Sequence, residues 1–131
     1  MDELEMYSEY LQWRGFRVEL SDNGADALMK AIAVRPDVVC TSLVMAELDG
    51  AELCAALHAD ERTHDVPVIV LTTLTGEADL AKARTSGCNT LLIKPCLPAV
   101  IAAEANRLID AARRLPDDSR NLRPQINQRS V

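Results

Sequence analysis

The chain has 131 residues, 48% of them apolar, and a net charge of −6. That length suits one domain around one core. No apolar run approaches the roughly 18–20 residues of a membrane span, and the start, Met1-Asp2-Glu3-Leu4-Glu5, lacks the basic segment of a secretory signal. Composition therefore predicts a soluble, cytoplasmic protein with no membrane contact. Charge is uneven: five Arg stand against two Asp from Arg113 onward, which leaves the first 112 residues at −9. An acidic body argues against a nucleic-acid surface on the domain. Cys40, Cys54, Cys88 and Cys96 are separated by 14, 34 and 8 residues. Those spacings match no metal or redox motif, so the thiols are expected to be reduced small hydrophobes.

The first element predicted is a helix over 2–14, with Met6, Tyr7, Tyr10, Leu11 and Trp13 on one broad apolar face. Gly15 ends it, and Phe16 to Leu20 alternates as a short strand. Ser21-Asp22-Asn23-Gly24 is turn and capping chemistry ahead of a helix that carries Ala25, Leu28, Met29 and Ile32 as far as Arg35. Pro36 stops it. A buried strand follows over 37–43, then a loop at Leu48-Asp49-Gly50 and a helix bearing Leu53, Ala56 and Leu57. Residues 66–72 are the clearest strand, 77–86 a helix closed by Gly87, and 90–93 a strand broken by Lys94-Pro95. Pro98 opens the last helix, which runs to about Arg114 with Ile101, Ala105, Leu108 and Ile109 on one face. Residues 1–115 thus form the domain, and 116–131 are expected to be a disordered, solvated tail. Strict alternation of helices and strands with short loops predicts a doubly wound parallel α/β sheet with helices on both faces, four strands and five helices in all. A domain of this class normally opens with a strand; here a helix comes first.

Several segments in this order carry a resemblance. They are Gly15-Phe16-Arg17-Val18, Asp22 to Leu28, Pro36-Asp37-Val38-Val39, Leu48 to Leu53, Val66 to Thr72, and Lys94-Pro95. Together, over roughly 2–114, the chain resembles the receiver domain of bacterial two-component response regulators, a flavodoxin-like fold. The resemblance implies phosphorelay signalling. In the family, an aspartate at the end of the third strand takes a phosphoryl group from a histidine kinase. An acidic pair after the first strand holds Mg²⁺ beside it, and a Thr or Ser and a Lys grip the phosphoryl oxygens. Mg²⁺ needs hard carboxylate oxygens, and phosphoryl transfer runs on positioning and charge neutralisation.

Here the aspartate position falls on Ser42. A serine hydroxyl carries no charge for Mg²⁺, and no base is evident to activate it. The acidic pair and the whole first strand would lie before Met1. Asp2 and Glu3 fall instead in the first helix, as charges favoured by its dipole. Thr72 holds the hydroxyl position, Lys94 the ammonium position, and Pro95 the place where the family keeps a cis peptide bond. The aromatic that reports phosphorylation is replaced by Leu91. Lys94 is expected either to hold an anion in a vestigial pocket or to pair with a loop carboxylate such as Glu47. No catalytic residue, metal site or cofactor is expected, Mg²⁺ included.

In the family the first strand is central, so its loss leaves strands 16–20 and 37–43 facing a slot. Unpaired buried backbone groups there cost roughly 1–3 kcal/mol each. Three outcomes stand open: a mis-assigned start, closure of the two strands into a four-stranded sheet, or a strand lent by another chain; for the molecule as given a homodimer is the expectation. The reading that follows is a pseudo-receiver that docks onto a protein, such as a histidine kinase or another regulator, through its 77–114 face, with no DNA-binding output segment after 115. One alternative is a non-functional product of a truncated or mis-started gene. Another is an enzyme or cofactor binder on a flavodoxin-like frame, which predicts a phosphate-cradling glycine loop that the sequence lacks.

Overall fold

The computed structural model describes residues 3–43, 48–73, 77–114 and 129–130. Its elements are α1 (Glu3–Trp13), β1 (Phe16–Arg17), α2 (Gly24–Val34), β2 (Val39–Ser42), α3 (Gly50–Ala59), β3 (Val68–Thr72), α4 (Glu77–Thr85), β4 (Thr90–Ile93), α5 (Pro98–Arg114) and β5 (Arg129–Ser130). The predicted alternation is present. The predicted tail lies largely outside the described residues, but its Arg129 and Ser130 form a fifth strand.

Local chemistry sets the ends. Gly15 closes α1 at φ 98°, in the left-handed region that glycine enters without strain. The Asn23 side chain caps α2 by accepting from the Asp26 amide at 2.8 Å. Asp49 and Glu52 form a reciprocal capping box at the start of α3.

β2, β3 and β4 form one parallel sheet in that order, with Val39 to Ser42 opposite Val68 to Leu71, and Ile69 to Thr72 opposite Thr90 to Ile93. β3 is buried throughout because both its faces are covered. Ile69 and Leu71 point to a cluster with Tyr7 and Leu11 of α1 and Ile101, Ala105 and Ile109 of α5. Val68 and Val70 point to the opposite cluster, with Ala31, Leu53, Leu57 and Ala83 from α2, α3 and α4. That division is the doubly wound arrangement.

Two expectations are corrected. β1 is two residues long rather than five and does not join the sheet; it pairs in parallel with β5, Phe16 opposite Arg129. Among the described residues β1 and β2 are not paired, so the two strands do not close up into one four-stranded sheet. The broad apolar face of α1 is also narrower than predicted. Tyr7 and Leu11, four residues apart, are buried, while Trp13 is 77% exposed and Met6 40%. At 100° per residue Trp13 sits about 200° from Leu11 and must face outward; its ring lies against Tyr10, with centroids 5.7 Å apart.

Candidate functional site

Parallel strands in register end together, so the C-terminal ends of β2, β3 and β4 place Ser42, Thr72 and Lys94 along one rim, where open α/β sheets bind ligands. The backbone N–H of Lys94 donates to the Thr72 carbonyl at 2.7 Å, which ties the loop after β4 to the end of β3. The Lys94–Pro95 peptide bond is cis. From this anchor the Lys94 ammonium donates to Ser42 Oγ at 3.4 Å and pairs with Glu3 Oε1 at 2.7 Å. Thr72 is buried, and its hydroxyl donates to the Thr73 carbonyl at 2.9 Å. Leu91 sits opposite Val70 in the ladder and packs inward against the cluster beneath α3 and α4.

Glu3 is the member that sequence reasoning missed. It was assigned to the helix dipole alone, whereas α1 opens over the strand ends and delivers its carboxylate to Lys94. Tyr7, one turn further along, holds it there: its hydroxyl donates to the Cys96 carbonyl at 2.9 Å. Burial, with Glu3 adding to it, raises the Tyr7 phenol above its ordinary value. A carboxylate in the first turn of a helix that precedes a strand-end lysine was the available signal. Glu47, the partner suggested for Lys94, lies outside the described residues.

Gly50 shapes the other side of the rim. A Cβ there would stand 2.3 Å from the Ser42 carbonyl, so only glycine lets α3 approach the end of β2 this closely. Asp49 caps α3 and pairs with Lys82. Burial raises its carboxyl pKa, but hydrogen bonds from Lys82 and from the Glu52 amide outweigh this and leave it below the usual range. Beneath the rim, burial and the neighbouring Cys96 push the Cys40 thiol up to about 12, so it stays protonated at neutral pH and is a poor nucleophile.

Chemically the rim offers one ammonium already neutralised by a carboxylate, and two hydroxyls. Lys94 donates to Ser42 rather than taking its proton, so it does not serve Ser42 as a base. No group of three or more His, Cys, Asp or Glu able to hold a metal ion is gathered among the described residues. The donors described at the rim, an ammonium, a carboxylate and two hydroxyls, do not make up the near-octahedral set of hard oxygens that Mg²⁺ needs.

A family model described as the response regulator receiver domain matches residues 2–106. The chain belongs to the response regulator receiver domain family. It is 28% identical over 117 residues to the DNA-binding dual master transcriptional regulator RpaA of Synechocystis sp., covering 89% of this chain and 48% of RpaA. The chain spans about half the length of the curated relatives it matches. Among solved structures it is similar to the signal receiver domain of a signal transduction histidine kinase from Syntrophus aciditrophicus, with 29% identity, a TM-score of 0.79 and 86% of each chain covered. It is also similar to the receiver domain of a sensor histidine kinase from Pseudomonas aeruginosa with a magnesium ion coordinated in its active-site cleft. There the identity is 28%, the TM-score 0.71, and the coverage 81% of this chain and 84% of that one. The receiver is thus a signalling domain of two-component systems, with the flavodoxin-like fold of its relatives. No helix among its described residues is long and apolar enough to cross a membrane.

Proposed function

We propose that this receiver works in a phosphorelay without being phosphorylated on an aspartate, and that it signals by docking to other proteins. The observation that carries the reading is the Glu3–Lys94–Ser42 cluster. Ser42 stands at the position the family gives to its phosphoacceptor, and the 2.7 Å pair with Glu3 already occupies the Lys94 ammonium that would grip a phosphoryl oxygen. With a hydroxyl at 42 and no carboxylate set for Mg²⁺ gathered among the described residues, metal-assisted transfer lacks both its acceptor and its charge neutraliser in this reading.

The docking face is formed by α4, β4 and α5. Ile93, Leu97 and Val100 are 46%, 70% and 44% exposed within eight residues of chain, an apolar patch of the kind that marks protein–protein surfaces. The partner is a protein of the same signalling class, a histidine kinase or another regulator. The acidic body keeps the domain itself off DNA.

Intact mass after incubation with acetyl phosphate and Mg²⁺ tests the reading. An unmodified mass is expected. A gain of one phosphoryl group that depends on Mg²⁺ overturns it.

A further inference from the structure

We propose that Cys54 and Cys88 form an oxidation site, at which a hydroperoxide converts Cys88 to a sulfenic acid and Cys54 closes it to a disulfide. This goes beyond the docking reading and does not depend on the state of Ser42.

Position argues first. The two thiols are 34 residues apart in sequence, Cys54 in α3 and Cys88 in the turn between α4 and β4. Both pack into one cluster, beside Ala83. Cys54 is fully buried, whereas Cys88 is half-buried next to the exposed Gly87, so a small oxidant meets Cys88 first. The Cys88 thiol donates to the Ala83 carbonyl at 3.3 Å, and the Ser86 hydroxyl donates to the same oxygen at 2.5 Å. Burial raises both thiols above their ordinary value, and the Ser86 hydroxyl works against this at each of them. Negative charge on Cys88 also bears on Cys54. One hydroxyl thus serves two neighbouring sulfurs.

The imidazole argues next. His58 lies one turn beyond Cys54 on the same face of α3, with its Nδ1 3.8 Å from the Cys54 sulfur. Its Nε2 lies 3.3 Å from the Val66 carbonyl oxygen. A carbonyl only accepts, so in the neutral ring Nε2 carries the hydrogen and Nδ1 turns a lone pair to the thiol. A thiol, a base and a group that orients the base make an activated sulfur. The same Nδ1 reaches the turn that carries Cys88: a Cβ on Gly87 would stand 3.4 Å from it. Cys40 and Cys96 share the other cluster, but they lack such a base. The chain's second histidine, His64, is engaged by the Glu61 carbonyl and Asp65.

The chemistry balances in two steps. The Cys88 sulfur attacks the peroxide, an S–O bond forms, the O–O bond breaks, and water or an alcohol leaves; Cys88 is oxidised and the peroxide reduced. The Cys54 sulfur then attacks the sulfenic sulfur, an S–S bond forms and the S–O bond breaks. The Cys54 proton passes through His58 Nδ1 to the departing hydroxide, which leaves as water. The bond ties α3 to the turn that ends α4, with β3 and α4 inside the closed loop. Thiol exchange with a small dithiol reverses it.

The test treats the full 131-residue chain with hydrogen peroxide, then labels remaining thiols with N-ethylmaleimide in denaturant and maps the peptides. Two labels instead of four are expected, with a Cys54–Cys88 link in the map and all four labels restored by dithiothreitol. Cys88→Ser is expected to keep all its remaining thiols, while Cys40→Ser and Cys96→Ser should still lose two. His58→Gln is expected to slow closure by about tenfold or more and to let dimedone trap the sulfenic acid at Cys88, as loss of a proton acceptor should. A merely structural histidine would leave no such trapped species. Cys54→Ala should also give the dimedone adduct; should either variant not fold, the map of the parent chain and Cys88→Ser decide. Four labels retained after peroxide overturn the proposal. So does a link through Cys40 or Cys96, a covalent dimer through Cys88, or a Cys88 sulfinic acid with no link.

Discussion

Ser42, Lys94 and Glu3 show how one side chain can change what its neighbours are for. With a hydroxyl at 42, the lysine has a carboxylate 2.7 Å away on α1 to neutralise it. Returning an aspartate to this position is not expected by itself to restore chemistry, because no carboxylate set for Mg²⁺ is gathered among the described residues. Ser42→Asp is therefore expected to keep an unmodified intact mass with acetyl phosphate and Mg²⁺. The Glu3–Lys94 pair itself adds little stability. Glu3 is half exposed, and pairs of this kind contribute about 0–1 kcal/mol, so Glu3→Gln should shift the urea midpoint only slightly. Cys40 acts on the alkaline side. Its folded thiol is pushed from 9.0 up to about 12, so the unfolded chain loses the proton first. The contribution of this group is complete below about pH 9 and is lost as pH rises toward 12. Cys40→Ala should flatten that alkaline limb in denaturant melts taken between these values, whatever it costs at neutral pH.

At the scale of elements, α3 is positioned by its N-cap, Asp49, and its first residue, Gly50. Asp49 closes a capping box with Glu52 and also binds Lys82 on α4. Asp49→Ala is expected to cost about 0.5–2 kcal/mol in equilibrium unfolding, the range for loss of an N-cap. Gly50→Ala sets two effects against each other. In a helix interior the exchange gains up to about 1 kcal/mol, but here the new Cβ would lie 2.3 Å from the backbone carbonyl of Ser42. Backbone cannot swing aside as a side-chain tip can, so overpacking of about 1–3 kcal/mol should win and Gly50→Ala should lower the thermal midpoint. β1 teaches the converse. Phe16 to Leu20 has the alternation of a five-residue strand, yet only Phe16 and Arg17 pair, because a strand needs a neighbour as well as a pattern.

For the whole molecule, the three-stranded sheet with apolar clusters on both faces carries the fold, and the exposed apolar patch of Ile93, Leu97 and Val100 belongs to neither cluster. Leu97 is 70% exposed, so Leu97→Glu should leave the thermal midpoint nearly unchanged, within the roughly ±0.5 kcal/mol usual for surface sites. The same change should weaken capture of a signalling partner in a binding assay, and retained binding would move the docking face elsewhere. Most of the architecture was legible in the residues. Helix caps at Asn23 and Asp49, the continuous apolar run of β3 and the stops at Gly15 and Pro36 are local signals, and local backbone preference acts on neighbours in sequence. The order of those signals was enough to suggest the family, and counting along it singled out Ser42, Thr72 and Lys94, which the parallel register brings to one rim. Three things required the tertiary structure. Glu3 meets Lys94 across 91 residues of chain, a pairing that no local pattern encodes. Trp13 faces outward because the helix phase is set by Tyr7 and Leu11 packing on α5. Among the described residues β1 pairs with β5 and not with β2, because main-chain hydrogen bonding is decided by which strands become neighbours in space.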